Sequence, residues 1–141
     1  MIKVRKFYKM KIFIGQVVTG EDINNLKREL VRVYSALEDK GENTCYDNLR
    51  DGAEELLKQP KRKRLEYAFK KIDDSDTFLA IVRSEKKSEG MLLEFGYALS
   101  QGKKLILAVK SGIDTSLRDL SDKMIEYENS NDLIKKLEEV S

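Results

Sequence analysis

The chain has 141 residues, enough for one domain with a real core and not for two. Charged residues make up 37% and hydrophobic ones 40%, and 27 Lys and Arg against 25 Asp and Glu leave a formal charge of +2, which implies neither nucleic acid nor an anionic membrane as a partner. Histidine is absent and Cys45 is the only cysteine, which excludes Ser-His-Asp and Cys-His catalysis, an internal disulfide and a cysteine zinc cage. Acid–base chemistry is left to carboxylates, Tyr, Lys or the single Cys, and a lone Cys reads first as a small buried hydrophobe. No apolar run approaches the roughly 18 residues needed to span a bilayer. The basic start, MIKVRKFYKM, has no apolar signal-peptide core, so a cytoplasmic protein is expected.

Residues 1–9 read as an extension or tail before a domain over 10–141, with Met10 as an alternative start. Residues 11–15 (KIFIG) are β-branched and aromatic and predict the first strand. Thr19 with Asp22 resembles a capping box, and Ile23, Leu26, Leu30, Val33 and Leu37 recur at helical spacing to about Lys40, with Gly41 as the stop. A second strand is expected at 43–46 (NTCY) and a helix over 50–58. Pro60 suits the first turn of a third helix, whose inner face carries Leu65, Ala68, Phe69 and Ile72. The continuous apolar runs 77–82 (TFLAIV) and 104–109 (KLILAV) are expected as strands buried on both sides. A helix over 89–101 closed by Gly102 lies between them; a short strand at 124–127 and a last helix capped from 129–131 complete the chain.

Strands alternating with helices predict right-handed βαβ units in a three-layer α/β fold: a doubly wound, mostly parallel five-stranded sheet of order 2-1-3-4-5, flavodoxin- or Rossmann-like. Ligands bind outside the carboxyl ends of the strands where the order reverses. Two loops meet there, 15–20 after the first strand and 83–88 after the third. The segment Ser88-Glu89-Gly90-Met91-Leu92-Leu93-Glu94-Phe95-Gly96-Tyr97-Ala98 opens the helix that follows. Its first N–H groups are without intrahelical partners, Ser88 can cap them and meet a ligand, Gly90 permits close approach, and Glu94 stands one turn beyond Gly90 on the same face. A carboxylate there suits glycosidic chemistry, in which it traps an oxocarbenium-like centre as an ester. By spacing alone Glu94 reads equally as a solvated helical residue. The basic run 58–64 lacks interleaved aromatics and reads as a solvated helix start, and neither GxGxxG nor a P-loop is present.

The segment and its setting resemble the nucleoside 2-deoxyribosyltransferase superfamily, which includes deoxynucleoside 5'-monophosphate N-glycosidases. The matching residues are Asp76 followed by TFLAIV, then Ser88, Gly90, Glu94-Phe95-Gly96-Tyr97-Ala98 and Gly102-Lys103, with KIFIG as the first strand. The resemblance covers roughly residues 10–140. It implies cleavage or transfer at the N-glycosidic bond of a 2'-deoxyribonucleoside or its 5'-monophosphate, with Glu94 attacking the anomeric carbon and no metal or cofactor. It implies substrate contacts from Phe13, Gly15, Gln16, Ser88, Gly90 and Met91, and a homodimer whose Ser121 serves the neighbouring site. Ser88 stands where the transferases have Asp and the monophosphate hydrolases Ser, which favours a phosphate-bearing substrate because a hydroxyl does not repel phosphate.

Two departures stand out. Phe13 occupies a position that is commonly Tyr in the family. The family's Asp on the helix before the third strand, eight residues ahead of Asp76, falls here on Ala68, and Glu66 lies about 200° away around the helix. Asp73, Asp74 and Asp76 read as solvated turn residues at the opposite end of the strand. The alternatives are therefore a binding module that kept the pocket and lost the catalytic pair, or a receiver-like signalling domain; the latter lacks an acidic cluster at the carboxyl ends of its strands.

Overall fold

The computed structural model describes residues 9–17, 21–39, 43–47, 50 and 53–140. In chain order these form β1 (Lys11–Gln16), α1 (Ile23–Glu38), β2 (Thr44–Tyr46), α2 (Ala53–Leu57), α3 (Lys61–Asp73), β3 (Thr77–Val82), α4 (Glu89–Ser100), β4 (Lys104–Lys110), α5 (Leu117–Leu120), β5 (Lys123–Tyr127) and α6 (Ser130–Glu138). The five strands pair in parallel in the order β2-β1-β3-β4-β5, as the alternating pattern predicts.

Side-chain alternation divides the core in two. Ile12, Ile14, Leu79, Ile81, Ile106 and Ala108 point to one face, where α1 and α6 cover them with Leu30, Val33, Leu37, Leu133 and Leu137. Phe13, Phe78, Ala80, Leu105, Leu107 and Val109 point to the other, under Ala68 and Ile72 of α3 and Met91, Phe95 and Ala98 of α4. Covered on both faces, all six residues of β3 are buried, which is why that strand reads as an unbroken apolar run.

The helix ends follow from local chemistry, with one correction. Asp22, expected as the distant member of a box begun by Thr19, is itself the N-cap of α1 and accepts from the backbone N–H of Asn24 and Asn25 at 2.9 and 3.1 Å. An Asp directly before the first helical residue satisfies two orphan donors alone. Thr19, Lys40 and Gly41 lie outside the described residues. Pro60 precedes α3, Gly102 follows α4 at φ +69°, and Asn129 caps α6.

At the amino-terminal edge of the sheet, three polar residues each stand one position before a strand and clasp the strand beside it. Asn43 accepts from Met10 N–H at 3.0 Å and donates to Leu37 C=O at 2.9 Å. Asp76 accepts from Lys11 N–H at 3.0 Å and Asp122 from Leu105 N–H at 2.8 Å. Asp76 and its neighbours are therefore part of this edge, as their spacing predicts.

Candidate functional site at the carboxyl edge of the sheet

The other edge is built differently. Gln16 ends β1, Asp47 follows β2, and α4 descends from the loop after β3. In α4, Met91, Phe95 and Ala98 face the sheet. Glu94 lies about 40° around the helix from Ala98, so the packing that seats those apolar side chains draws its carboxyl inward as well. Glu94 is 8% exposed, and no hydrogen bond or ion pair satisfies it among those between described residues. Burial, and after it the negative charge of Asp47, raise its pKa to about 8.

Asp47 is 5% exposed, and its Oδ2 accepts from Gln16 Nε2 at 3.0 Å. That bond orients the Gln16 amide, and its Oε1 is buried without a partner. Tyr34, on the inner face of α1, brings a hydroxyl that is likewise buried without a partner of ordinary hydrogen-bond geometry. Burial first, then the Asp47 carboxylate, hold that phenol protonated against the opposing effect of Arg50. Arg50 stacks on the Tyr34 ring at 4.3 Å and pairs with Glu38 at 2.7 Å. Two carboxyls, an amide and a phenol thus gather at the strand-order reversal, with hydrogen-bonding capacity left over. Buried polar groups are normally satisfied, so this surplus points to a polar ligand.

Ser88 caps α4, accepting from Met91 N–H at 3.3 Å. With Met91 it lines a cavity of about 280 Å³ between the loops after β3 and β4, where Lys86, Lys87, Thr115 and Ser116 also stand. A Cβ on Gly90 would lie 3.7 Å from Ser88 Oγ, an ordinary contact. A larger cavity of about 460 Å³ runs along α1 beside Tyr34 and Arg50. Glu94 lines neither cavity among the described residues.

The remaining sequence candidates are placed elsewhere. Phe13 is 1% exposed in the core, its ring centroid 5.7 Å from that of Phe78. Gly15 is required by the same packing: a Cβ there would come within 2.3 Å of Phe78 Cζ. Ser121 follows α5 and donates to Leu117 C=O at 2.7 Å. It stands beside Asp122 at the amino-terminal edge, about 20 Å from Glu94 along the strands, so within one chain it does not reach this site. Ala68 is fully buried under the sheet and brings no polar atom. Among the described residues no three His, Cys, Asp or Glu side chains converge as metal ligands would, and no helix is long and apolar enough to cross a membrane.

Asp47 and Tyr34 are the members that sequence reasoning missed. Tyr34 carries no signal inside a regular amphipathic helix. Asp47 does: it is an acidic residue directly after a strand of a doubly wound sheet, where ligand-binding groups collect.

Neither a protein-family profile nor a curated protein matches this sequence. Solved structures do match in fold. A CMP N-glycosidase from Clostridium botulinum, BcmB, superposes with a TM-score of 0.69 at 20% identity, covering 93% of this chain and 99% of its own. A 2-deoxyribosyltransferase from Bacillus psychrosaccharolyticus matches with a TM-score of 0.61 at 19% identity, over 90% of this chain and 95% of its own. One from Leishmania mexicana matches with 0.53 at 19%, over 71% and 64%. The chain thus shares the fold of nucleoside deoxyribosyltransferases and nucleotide N-glycosidases over most of its length.

Proposed function

We propose that the chain breaks the N-glycosidic bond of a nucleoside or nucleotide, by hydrolysis or transfer to a second base, with Glu94 as nucleophile. The observation that carries this reading is the Glu94 carboxyl, buried beside Asp47 at the reversal of strand order with unsatisfied amide and phenol groups around it. A desolvated carboxylate next to an anomeric carbon is a strong nucleophile and stabilises an oxocarbenium-like centre as it forms. The shared fold with proteins named for this chemistry supports the reading. The capped start of α4 with Lys86 and Lys87 suits a 5'-phosphate, so monophosphates are the preferred substrates. No metal or cofactor takes part. The working form is a homodimer: Leu92, Leu93 and Leu99 expose an apolar stripe on α4 around Gly96, whose missing side chain faces open space.

The test is incubation of the purified chain with nucleosides and 5'-monophosphates in ribo and deoxy forms, CMP and dCMP included. Free base is followed by chromatography with and without an acceptor base, beside Glu94→Ala. Base release that disappears in the folded variant supports the proposal, and equal release by the variant refutes the role of Glu94. A second reading, a nucleotide-binding module without turnover, is favoured by Ala68, by Phe13, and by the fact that Glu94 opens into neither cavity. It predicts ligand-dependent thermal stabilisation with no product.

A further inference from the structure

We propose that Asp47 is the acid–base partner of Glu94, giving a proton to the leaving base and recovering it from the incoming water; this rests on the N-glycosidic reading above. A buried carboxylate nucleophile removes only half the difficulty of the reaction. A nucleobase leaves poorly as an anion and well once protonated, so a second group must carry a proton to its nitrogen. The position on α3 that would bring a carboxyl holds Ala68, fully buried among apolar neighbours. No histidine exists to substitute. The carboxyl that the fold does bring to Glu94 comes from the end of β2.

Asp47 is nearly as buried as Glu94 and is anchored through Oδ2 by Gln16 Nε2 at 3.0 Å. The unpartnered Gln16 Oε1 and Tyr34 hydroxyl stand in the same crevice, where the polar edge of a base finds an acceptor and a donor. The ionisable groups acting on Asp47 are Tyr34 from α1, Cys45 on its own strand and Arg50 beyond it; Glu94 feels Asp47 alone. Burial and the Asp47 charge keep Glu94 protonated up to about pH 8 when it is the carboxyl holding the proton. Two buried carboxyls that interact this way share one proton over a wide range of pH, and the titration belongs to the pair.

The cycle then balances. With the proton on Asp47 and the charge on Glu94, Glu94 Oε bonds to the anomeric carbon as the C–N bond breaks. The bonding pair goes to the base nitrogen, which takes the Asp47 proton and departs neutral. Asp47, now a carboxylate, accepts a proton from water as its oxygen attacks the anomeric carbon. The ester bond breaks, Glu94 regains its charge, and Asp47 again holds the proton.

The experiment compares the wild-type chain, Asp47→Asn and Glu94→Gln on an accepted nucleotide and on its better-leaving analogue, 5-fluoro for a pyrimidine or N7-methyl for a purine. Asp47→Asn is expected to lose about 10²- to 10⁴-fold in kcat/KM on the ordinary base. It should recover at least about tenfold of that loss on the activated one, because the base then needs less protonation. Glu94→Gln should fail on both. Wild-type kcat/KM should fall as pH rises past about 8, where the pair gives up its proton. The proposal is overturned by an Asp47→Asn variant within threefold of wild type, by equal loss on both bases, or by a wild-type rate that keeps rising above pH 8. Should Asp47→Asn not fold, the wild-type pH profile and leaving-group dependence decide alone. A wild-type chain that releases no base from any substrate defeats the N-glycosidic reading itself, a result distinct from each of these.

Discussion

The two edges of the sheet are built from similar residues and treat them in opposite ways. At the amino-terminal edge Asn43, Asp76 and Asp122 are closed by backbone partners, each tying one strand to the start of the next. At the carboxyl edge Gln16 Oε1, Tyr34 Oη and Arg83 Nη2 are buried without partners, although Arg83 also pairs with Glu29 at 2.7 Å. Glu94 there is held neutral by burial. A satisfied polar group gives a net stabilisation, whereas an unsatisfied buried one costs about 1–3 kcal/mol. One edge therefore holds the fold together, and the other keeps a cost that only a ligand offsets. The lesson is that polarity at a sheet edge does not mark function; polarity without partners does.

The largest expected effect that tests this contrast is at Glu94. In the folded chain its carboxyl keeps a proton from the ordinary value of 4.5 up to about 8, while the unfolded chain gives the proton up. The native state then binds more protons across that window, so stability falls as pH rises through it, by up to about 1.4 kcal/mol per pH unit. Glu94→Gln removes the ionisable group. Denaturant unfolding at pH 5 and pH 8 should show the variant losing little stability between them, where the wild type loses a few kcal/mol. A wild-type stability that is flat across this range would mean that Glu94 is not buried.

Asn43→Ala tests the opposite edge. It leaves Met10 N–H without its acceptor and Leu37 C=O without one of its donors, at about 1–3 kcal/mol in chemical denaturation. Base release per folded molecule should be unchanged; a matching loss of activity would show that the two edges are not independent. The smallest effect belongs to Ser88→Ala. Losing the α4 cap costs about 1 kcal/mol. At the same time KM should rise several-fold for monophosphates and little for nucleosides, an asymmetry that steady-state kinetics on a matched pair resolves.

Most of the fold was legible because its signals are local. Apolar runs of strand length, 3.6-residue periodicity and Gly or Asn at helix ends depend on neighbours along the chain. β2, β3, β4, β5 and α6 all lie within a residue or two of where those signals put them. Within the candidate site, Ser88, Gly90 and Glu94 share one segment and were legible as a motif, and Gln16 follows from the end of the first strand. Phe13 and Gly15 are bound up in core packing with Phe78, a strand apart, and a one-dimensional reading has no access to that contact.

By itself the sequence determined the alternation of strands and helices, the reversal of strand order and the placing of one carboxylate on the helix after the third strand. Tertiary structure alone decided that this carboxylate is buried, and that its electrostatic neighbour is Asp47, 47 positions earlier in the chain. It also decided that an amide and a phenol nearby are left with unused hydrogen-bonding capacity. The physical reason is that hydrophobic periodicity is written into neighbouring residues, whereas desolvation and charge coupling depend on distances that exist only after the strands have paired.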